Sequence, residues 1–233
     1  MNKKETLLEI ATKYKTDKVE NGYINYYSKH FSPLRNKKLN VLEIGVKRET
    51  ETTSGACSLK TWKEYFSESN IYGIDIDSKN KEYEQDRIEI FIGNQADESF
   101  INEVVKKVGQ FDIIIDDGSH VNELTIASWK YLFPHLKSGG IYVIEDMVCS
   151  YQNLDEFEVR RKSKNNQHWW GMHLLPETVS YNNDRKILNN FFAERIFNMD
   201  IGSKDRWRSF YGASHPELES ITFYSQLCFM IKK

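Results

Sequence analysis

Five short apolar runs punctuate the first two thirds of this chain, and most of them end in acids. They read VLEIG at Val41–Gly45, IYGIDID at Ile71–Asp77, IEIFIGN at Ile88–Asn94, FDIIIDDGSH at Phe111–His120, and IYVIED at Ile141–Asp146. Runs of this length, rich in isoleucine and valine, predict strands buried on both faces. The intervening segments carry helical patterning, so the chain alternates β and α. That alternation predicts an α/β fold with a mostly parallel sheet and helices on both faces. Ligands of open parallel sheets bind outside the carboxyl ends of the strands. The acids therefore stand where such a fold does its chemistry.

The pattern sets expected boundaries. An amphipathic helix is predicted over 5–14, followed by a polar connection rich in tyrosine, with Tyr23, Tyr26 and Tyr27. Strands are predicted over 39–44, 71–76, 87–92, 111–115 and 141–145. Helices are predicted over 58–66 with Ser58 near its start, over 99–108 with Ser99 as cap, and over 122–133. Residues 47–57 read as a polar loop. Residues 147–220 break the alternation, holding two basic, aromatic stretches (160–170 and 204–210) and an amphipathic helix over 185–198. The end reads as two strands, 220–224 and 227–231, turning at Ser225-Gln226 and forming an antiparallel hairpin at the sheet edge. Nothing marks a domain boundary. Residues 1–233 are expected to form one domain, with an amino-terminal helical segment and an insertion near 151–219.

Composition narrows the function classes. A net charge of −2 at pH 7 argues against a general nucleic-acid binder. Cys57, Cys149 and Cys228 are odd in number and widely spaced, with neither zinc spacing nor a disulfide framework, as expected of a reducing compartment. No signal peptide or membrane-spanning stretch is read, so a cytoplasmic chain without membrane attachment is expected.

The first loop bears on the cofactor. A dinucleotide site asks for G-x-G-x-x-G after the first strand, because backbone must approach a pyrophosphate. Here a lone Gly45 is followed by Val46-Lys47-Arg48-Glu49. S-adenosylmethionine (SAM) has no phosphate, and one glycine suffices to admit it. Glu43 is positioned to meet its ammonium, directly or through water, and Asp75 to accept from ribose hydroxyls. In the plainer reading, Gly45 is a simple turn and Asp75 a solvated strand end.

These segments together resemble the metal-dependent class I SAM methyltransferases that O-methylate sugars, the macrocin and mycinamicin type. The resemblance is carried by Lys15-Thr16-Asp17-Lys18, 41–46, Ser58-Leu59-Lys60-Thr61-Trp62, 71–77, Gly93-Asn94-Gln95, 112–120, 139–146 with Ser150-Tyr151, and 221–232. It implies a Rossmann-like sheet of seven strands with an antiparallel terminal strand. It implies Asp117, Glu145 and Asp146 as metal ligands and His120 as general base. It also implies a cofactor pocket holding Glu43, Gly45, Asp75 and Gln95, to which Asp116 is added. The polar loop 47–57 departs from the short glycine-rich turn of the family, so the residues that hold the methionine end of SAM are not indicated.

The chemistry is consistent with that set. A sugar hydroxyl is a poor nucleophile near neutral pH; a divalent cation stabilises the developing alkoxide and a base removes the proton. All-oxygen ligands suit Mg²⁺ first and Mn²⁺ second. Each residue also has a plainer reading. Asp116 or Asp117 can cap the next helix, His120 can bond locally, and Glu145 and Asp146 can be solvated strand ends. Consecutive strand residues point to opposite faces, so Glu145 and Asp146 converge only if the chain turns there. The acceptor is expected to be a small molecule, a sugar on a nucleoside diphosphate, gripped by Arg160, Arg161, Lys162, Lys164, Lys204, Arg206 and Arg208 with Trp169 or Trp207 stacked on the base. The alternatives are a natural-product glycoside sugar or a non-catalytic SAM-fold partner subunit. A homo-oligomer is possible on this reading.

Overall fold

A computed structural model describes residues 4–46, 55–151, 183–201, 205–214 and 217–233. Seven strands form one sheet: β1 (Asn40–Ile44), β2 (Asn70–Asp75), β3 (Ile88–Ile92), β4 (Phe111–Asp116), β5 (Leu136–Ile144), β6 (Leu218–Tyr224) and β7 (Leu227–Lys232). Their order is β3-β2-β1-β4-β5-β7-β6. The first five pair in parallel, while β7 runs antiparallel to both β5 and β6. The terminal hairpin is thus present but inverted from a simple edge addition. Its second strand inserts beside β5 and its first becomes the edge.

Side-chain alternation divides the core. Val41, Ile113, Ile115, Ile141, Val143 and Phe229 face α1 (Leu7–Tyr14), α2 (Ile24–Phe31) and α3 (Cys57–Tyr65). Leu42, Ile114, Tyr142, Ile144, Cys228 and Met230 face the opposite layer, made by α4 (Glu98–Val108), α5 (Asn122–Leu132) and α6 (Arg185–Ile201). A last short helix, α7 (Asp205–Tyr211), follows α6. The parity carries on into the acids. Glu43, Asp117 and Glu145 continue the rows that face α1–α3, whereas Asp116 continues the row facing α4 and α5.

Two local expectations differ from the structure. The tyrosine-rich connection is α2, because Tyr23, Tyr27 and Phe31 recur at four-residue spacing and are all buried. Helix α4 is capped by Asp97, whose carboxylate accepts from the backbone N–H groups of Ser99 and Phe100; Ser99 lies inside the helix. Helix α3 begins at Cys57, after Ala56 in a left-handed conformation, which puts Ser58 near its start as expected. The reading of 160–170 as a basic, aromatic segment falls outside the described residues. Among the described residues no helix is long and apolar enough to cross a membrane.

Candidate active site

A stagger of backbone hydrogen bonds extends the sheet one residue past the carboxyl ends of its parallel strands. Gly93 N–H donates to Asp75 O, Gly45 to Ile74 O, Asp117 to Ile44 O and Glu145 to Asp116 O. This stitching brings the loops after β1, β2, β3, β4 and β5 to one rim. Gly45 has φ +89, and a Cβ there would collide with the carbonyl oxygen of Asp117. The glycine therefore lets the loop after β1 pass against the loop after β4. Sequence reasoning connected Gly45 with the cofactor and did not foresee this contact.

Asp117 stands between two acidic clusters. In the outer one, His120 Nε2 lies 3.8 Å from Asp117 Oδ1 and 3.9 Å from Asp146 Oδ2. One ligand atom from each of the three residues can be drawn within 4.8 Å of the others, and the same holds for Glu43, Asp117 and Glu145 in the inner cluster. His120 and Asp146 have φ of +53 and +51. Left-handed backbone is uncommon outside glycine, with Asp and His among the residues that tolerate it best. The turn at Asp146 lets its side chain reach the side that Glu145 already faces.

Helix α2 shows this convergence directly. The Tyr27 hydroxyl donates to Glu145 Oε1, and the Tyr23 hydroxyl donates to Asp146 Oδ1. Residues 23 and 27 are one helical turn apart on one face, so the consecutive acids end side by side. Burial and the neighbouring carboxylates push both phenols well up, keeping them protonated donors. The Tyr23 hydroxyl also lies 3.4 Å from Gln226 Oε1, in the β6–β7 turn.

Lys18 fills the inner cluster. Its Nζ is 2.7 Å from Asp117 Oδ2, 2.7 Å from Glu145 Oε1 and 3.1 Å from Glu43 Oε1. Glu43 is itself fully buried, and its other oxygen accepts from Trp62 Nε1 at 2.8 Å. The contact from Lys18 to Glu43 Oε1 is close enough for an ion pair but lacks hydrogen-bond direction, leaving that buried oxygen without a hydrogen bond. The ammonium that Glu43 meets belongs to the chain. Burial opposes the charge on Lys18, yet the surrounding carboxylates outweigh it and hold the amine protonated. Burial, reinforced by the charge of Glu145, raises Asp117; burial pushes Glu145 up to about 7 even with Lys18 opposing.

The remaining expected residues occupy two separate places. Asp75 Oδ2 accepts from Val46 N–H and Oδ1 from Asp77 N–H, both at 2.8 Å, so it braces the loops after β1 and β2. Gln95 Nε2 donates to Asp116 Oδ1 at 3.2 Å and to Ser128 Oγ at 2.6 Å, while its Oε1 accepts from Ser119 N–H at 2.8 Å. Asp116 also accepts from the Tyr142 hydroxyl at 3.3 Å, and burial pushes its carboxyl up to about 7. Asp116 and Gln95 thus form a buried brace behind the Asp117–Ser119 turn. Sequence reasoning named neither Tyr23 nor Tyr27 as functional and quoted Lys18 only within a motif. The four-residue spacing of the tyrosines was the one available signal.

The donor set suits a hard divalent cation: carboxylates converge with one imidazole beside them, on a rim built by strand ends. The expected trio of Asp117, Glu145 and Asp146 is drawn to one region, but in this geometry Glu145 groups with Glu43 and Lys18, and His120 groups with the other two acids.

A sheet in this order, with one antiparallel strand and helices on both faces, is the Rossmann-like fold of class I methyltransferases. A Podospora anserina methyltransferase solved with SAH shares it at 16% identity and a TM-score of 0.51, covering 98% of this chain and 88% of that one. The likeness to the macrocin and mycinamicin sugar O-methyltransferase family extends to sequence. The chain is 41% identical over 150 residues to demethylmacrocin O-methyltransferase of Streptomyces fradiae and 40% identical over 154 residues to mycinamicin VI 2''-O-methyltransferase of Micromonospora griseorubida. Each match covers 64% of this chain and 38% of the relative. The MycE methyltransferase, solved with Mg, SAH and mycinamycin VI, superimposes with a TM-score of 0.73 at 29% identity, over 99% of this chain and 55% of that one. The chain therefore spans between about two fifths and just over half of the length of these relatives. No family model matches it.

Proposed function

We propose that this chain is the methyltransferase domain of a divalent-metal-dependent enzyme that moves a methyl group from SAM to a hydroxyl of a sugar carried on a natural product. The observation that carries the reading is the convergence of Asp117, His120 and Asp146 at the ends of β4 and β5. One continuous sheet with a core on each face supports treating residues 1–233 as a single domain.

Asp117 and Asp146 would hold the ion, with Glu145 able to join them through Oε2 while its Oε1 stays on Lys18. Asp75, Gly45 and Gln95 line or brace the rim where SAM would lie, and Asp116 acts from behind through Gln95. Bound there, SAM supplies an activated methyl group and the ion lowers the cost of ionising the acceptor hydroxyl. His120 Nε2, which faces both acids, takes the proton as the hydroxyl oxygen attacks. The buried braces hold the groups in line without further reorganisation.

The acceptor expectation changes. Curated relatives are named for methylating sugars of macrolides and a tetracenomycin, which favours a glycoside over a nucleotide sugar. Of the cationic residues behind the diphosphate expectation, 160–170 and Lys204 lie outside the described residues, and Arg208 is paired with Asp205 at 2.6 Å. The deciding experiment incubates the protein with SAM and Mg²⁺ and a panel of macrolide glycosides, nucleoside diphosphate sugars and free sugars, read by mass spectrometry. A methyl gain on the glycosides is expected. Transfer confined to nucleotide sugars would reverse the acceptor assignment, and SAM binding without transfer to any sugar would favour a non-catalytic subunit.

A further inference from the structure

We propose that Lys18 is a resident cation that occupies the inner half of a double acidic site, confines the divalent ion to the outer half and limits how tightly that ion is held. The inference rests on the metal reading above. Its basis is that two potential cation sites share one residue. Asp117 gives Oδ2 to Lys18 at 2.7 Å and turns Oδ1 toward His120 and Asp146. The inner site, made by Glu43, Asp117 and Glu145, has the oxygen donors a hard cation wants, and an ammonium already stands among them.

Lys18 is held there by the fold. It is 1% exposed, and its own carbonyl accepts from Tyr23 N–H at 2.9 Å, at the entrance to α2. Asn21 N–H donates to Asp17 O and Gly22 N–H to Val19 O, closing a tight turn around it. These backbone bonds hold Lys18 at the entrance to α2 with its side chain buried. With all three carboxylates ionised, the state a bound cation favours, the inner cluster and its ammonium carry a formal charge of −2. An ion in the outer cluster shares Asp117 with that ammonium. Like charges a few ångströms apart in a low-dielectric interior repel strongly, so Lys18 weakens the ion's hold. It also withdraws Asp117 Oδ2 and Glu145 Oε1 from coordination.

A purely structural ion pair makes the opposite forecast, since its loss would loosen the acids and weaken ion binding. Mn²⁺ binding, followed by paramagnetic resonance of the free ion and by calorimetry, separates the two without any turnover. Wild type, Lys18→Met and the double variant Lys18→Met/Glu43→Gln are compared. Lys18→Met is expected to bind Mn²⁺ at least tenfold more tightly than wild type. The double variant removes one negative charge together with the positive one, restores the cluster's net charge and is expected to bind within about threefold of wild type. If Lys18→Met needs an ion to fold, Mn²⁺ is expected to restore its native circular dichroism, because the ion then takes the place of the ammonium. Unchanged or weaker Mn²⁺ binding by folded Lys18→Met, or failure of Mn²⁺ to rescue an unfolded one, overturns the inference. Absence of Mn²⁺ binding by wild type alone, with binding by Lys18→Met, would instead remove the metal from the proposed reaction and leave the role of Lys18 standing.

Discussion

Lys18 Nζ lies 2.7 Å from Asp117 Oδ2, although the two residues are 99 positions apart in the chain. The contact fastens the amino-terminal segment to the loop after β4 and fixes which oxygen of Asp117 remains free for the outer cluster.

That free oxygen depends on the crossing at Gly45. Gly45→Ala would place a methyl group against the Asp117 carbonyl and force a side chain into φ +89. Strained backbone of this kind costs on the order of 1–3 kcal/mol even before the collision is relieved. Calorimetric melting should show that loss, and Mn²⁺ and SAM binding should both weaken because both loops shift. A variant with wild-type stability and both affinities intact would mean that the loops slide apart freely.

The phenols of α2 orient the acids from behind. Tyr23→Phe removes the donor to Asp146 and should weaken Mn²⁺ binding by roughly 10–100-fold, the usual effect of losing a partner that orients a metal ligand. Its sign is opposite to that expected for Lys18→Met. Tighter binding in Tyr23→Phe would show that the hydroxyl competes with the ion.

Asp75 should matter twice, as an acceptor for ribose hydroxyls and as the brace for Val46 and Asp77. Asp75→Ala should reduce SAM affinity by about 1–3 kcal/mol, as for a lost hydrogen bond to a charged group. Asp75→Asn, which keeps one carbonyl oxygen, should retain part of it. Equal titration curves for wild type and Asp75→Ala would take Asp75 out of the cofactor site.

For the base, Asn is the better replacement because it tolerates the left-handed backbone at residue 120. His120→Asn should lower kcat by about 10²–10⁴-fold while SAM and Mn²⁺ affinities stay close to wild type. Near-normal kcat would assign the proton to another group.

The contribution of His30 to stability should fall in mild acid. Its ring stacks on Phe229 at 4.2 Å, its Nε2 lies 3.0 Å from the Tyr224 hydroxyl, and burial lowers its pKa below the ordinary value. A histidine that is harder to protonate folded than unfolded contributes its full stability above about pH 6.5, and loses it as pH falls through the unfolded value toward the folded one. Asp116 and Glu145, raised to about 7 by burial, act in the opposite sense, so the contribution of His30 is read as a difference: the denaturant midpoint of wild type relative to His30→Phe should fall as pH drops below about 6.5. An identical slope in the variant would assign the acid sensitivity to other groups.

The strands, the face each acid leaves from and the rim where the acids gather follow from the order of residues alone. Apolar runs of five or six residues specify buried strands, and a period of two assigns Glu43, Asp117 and Glu145 to one face and Asp116 to the other. What those acids meet depends on contacts made across the fold. Lys18, Tyr23 and Tyr27 reach them from 99 to 127 positions away, distances over which local periodicity carries no information. The left-handed turn at Asp146 belongs to the same class: strand alternation sends residue 146 to the far face, and the packing of α2 against the end of β5 brings it back. Gly45 marks the boundary between the two kinds of information. Its presence is legible as a turn, but the reason no other residue fits is a backbone 72 positions farther along the chain.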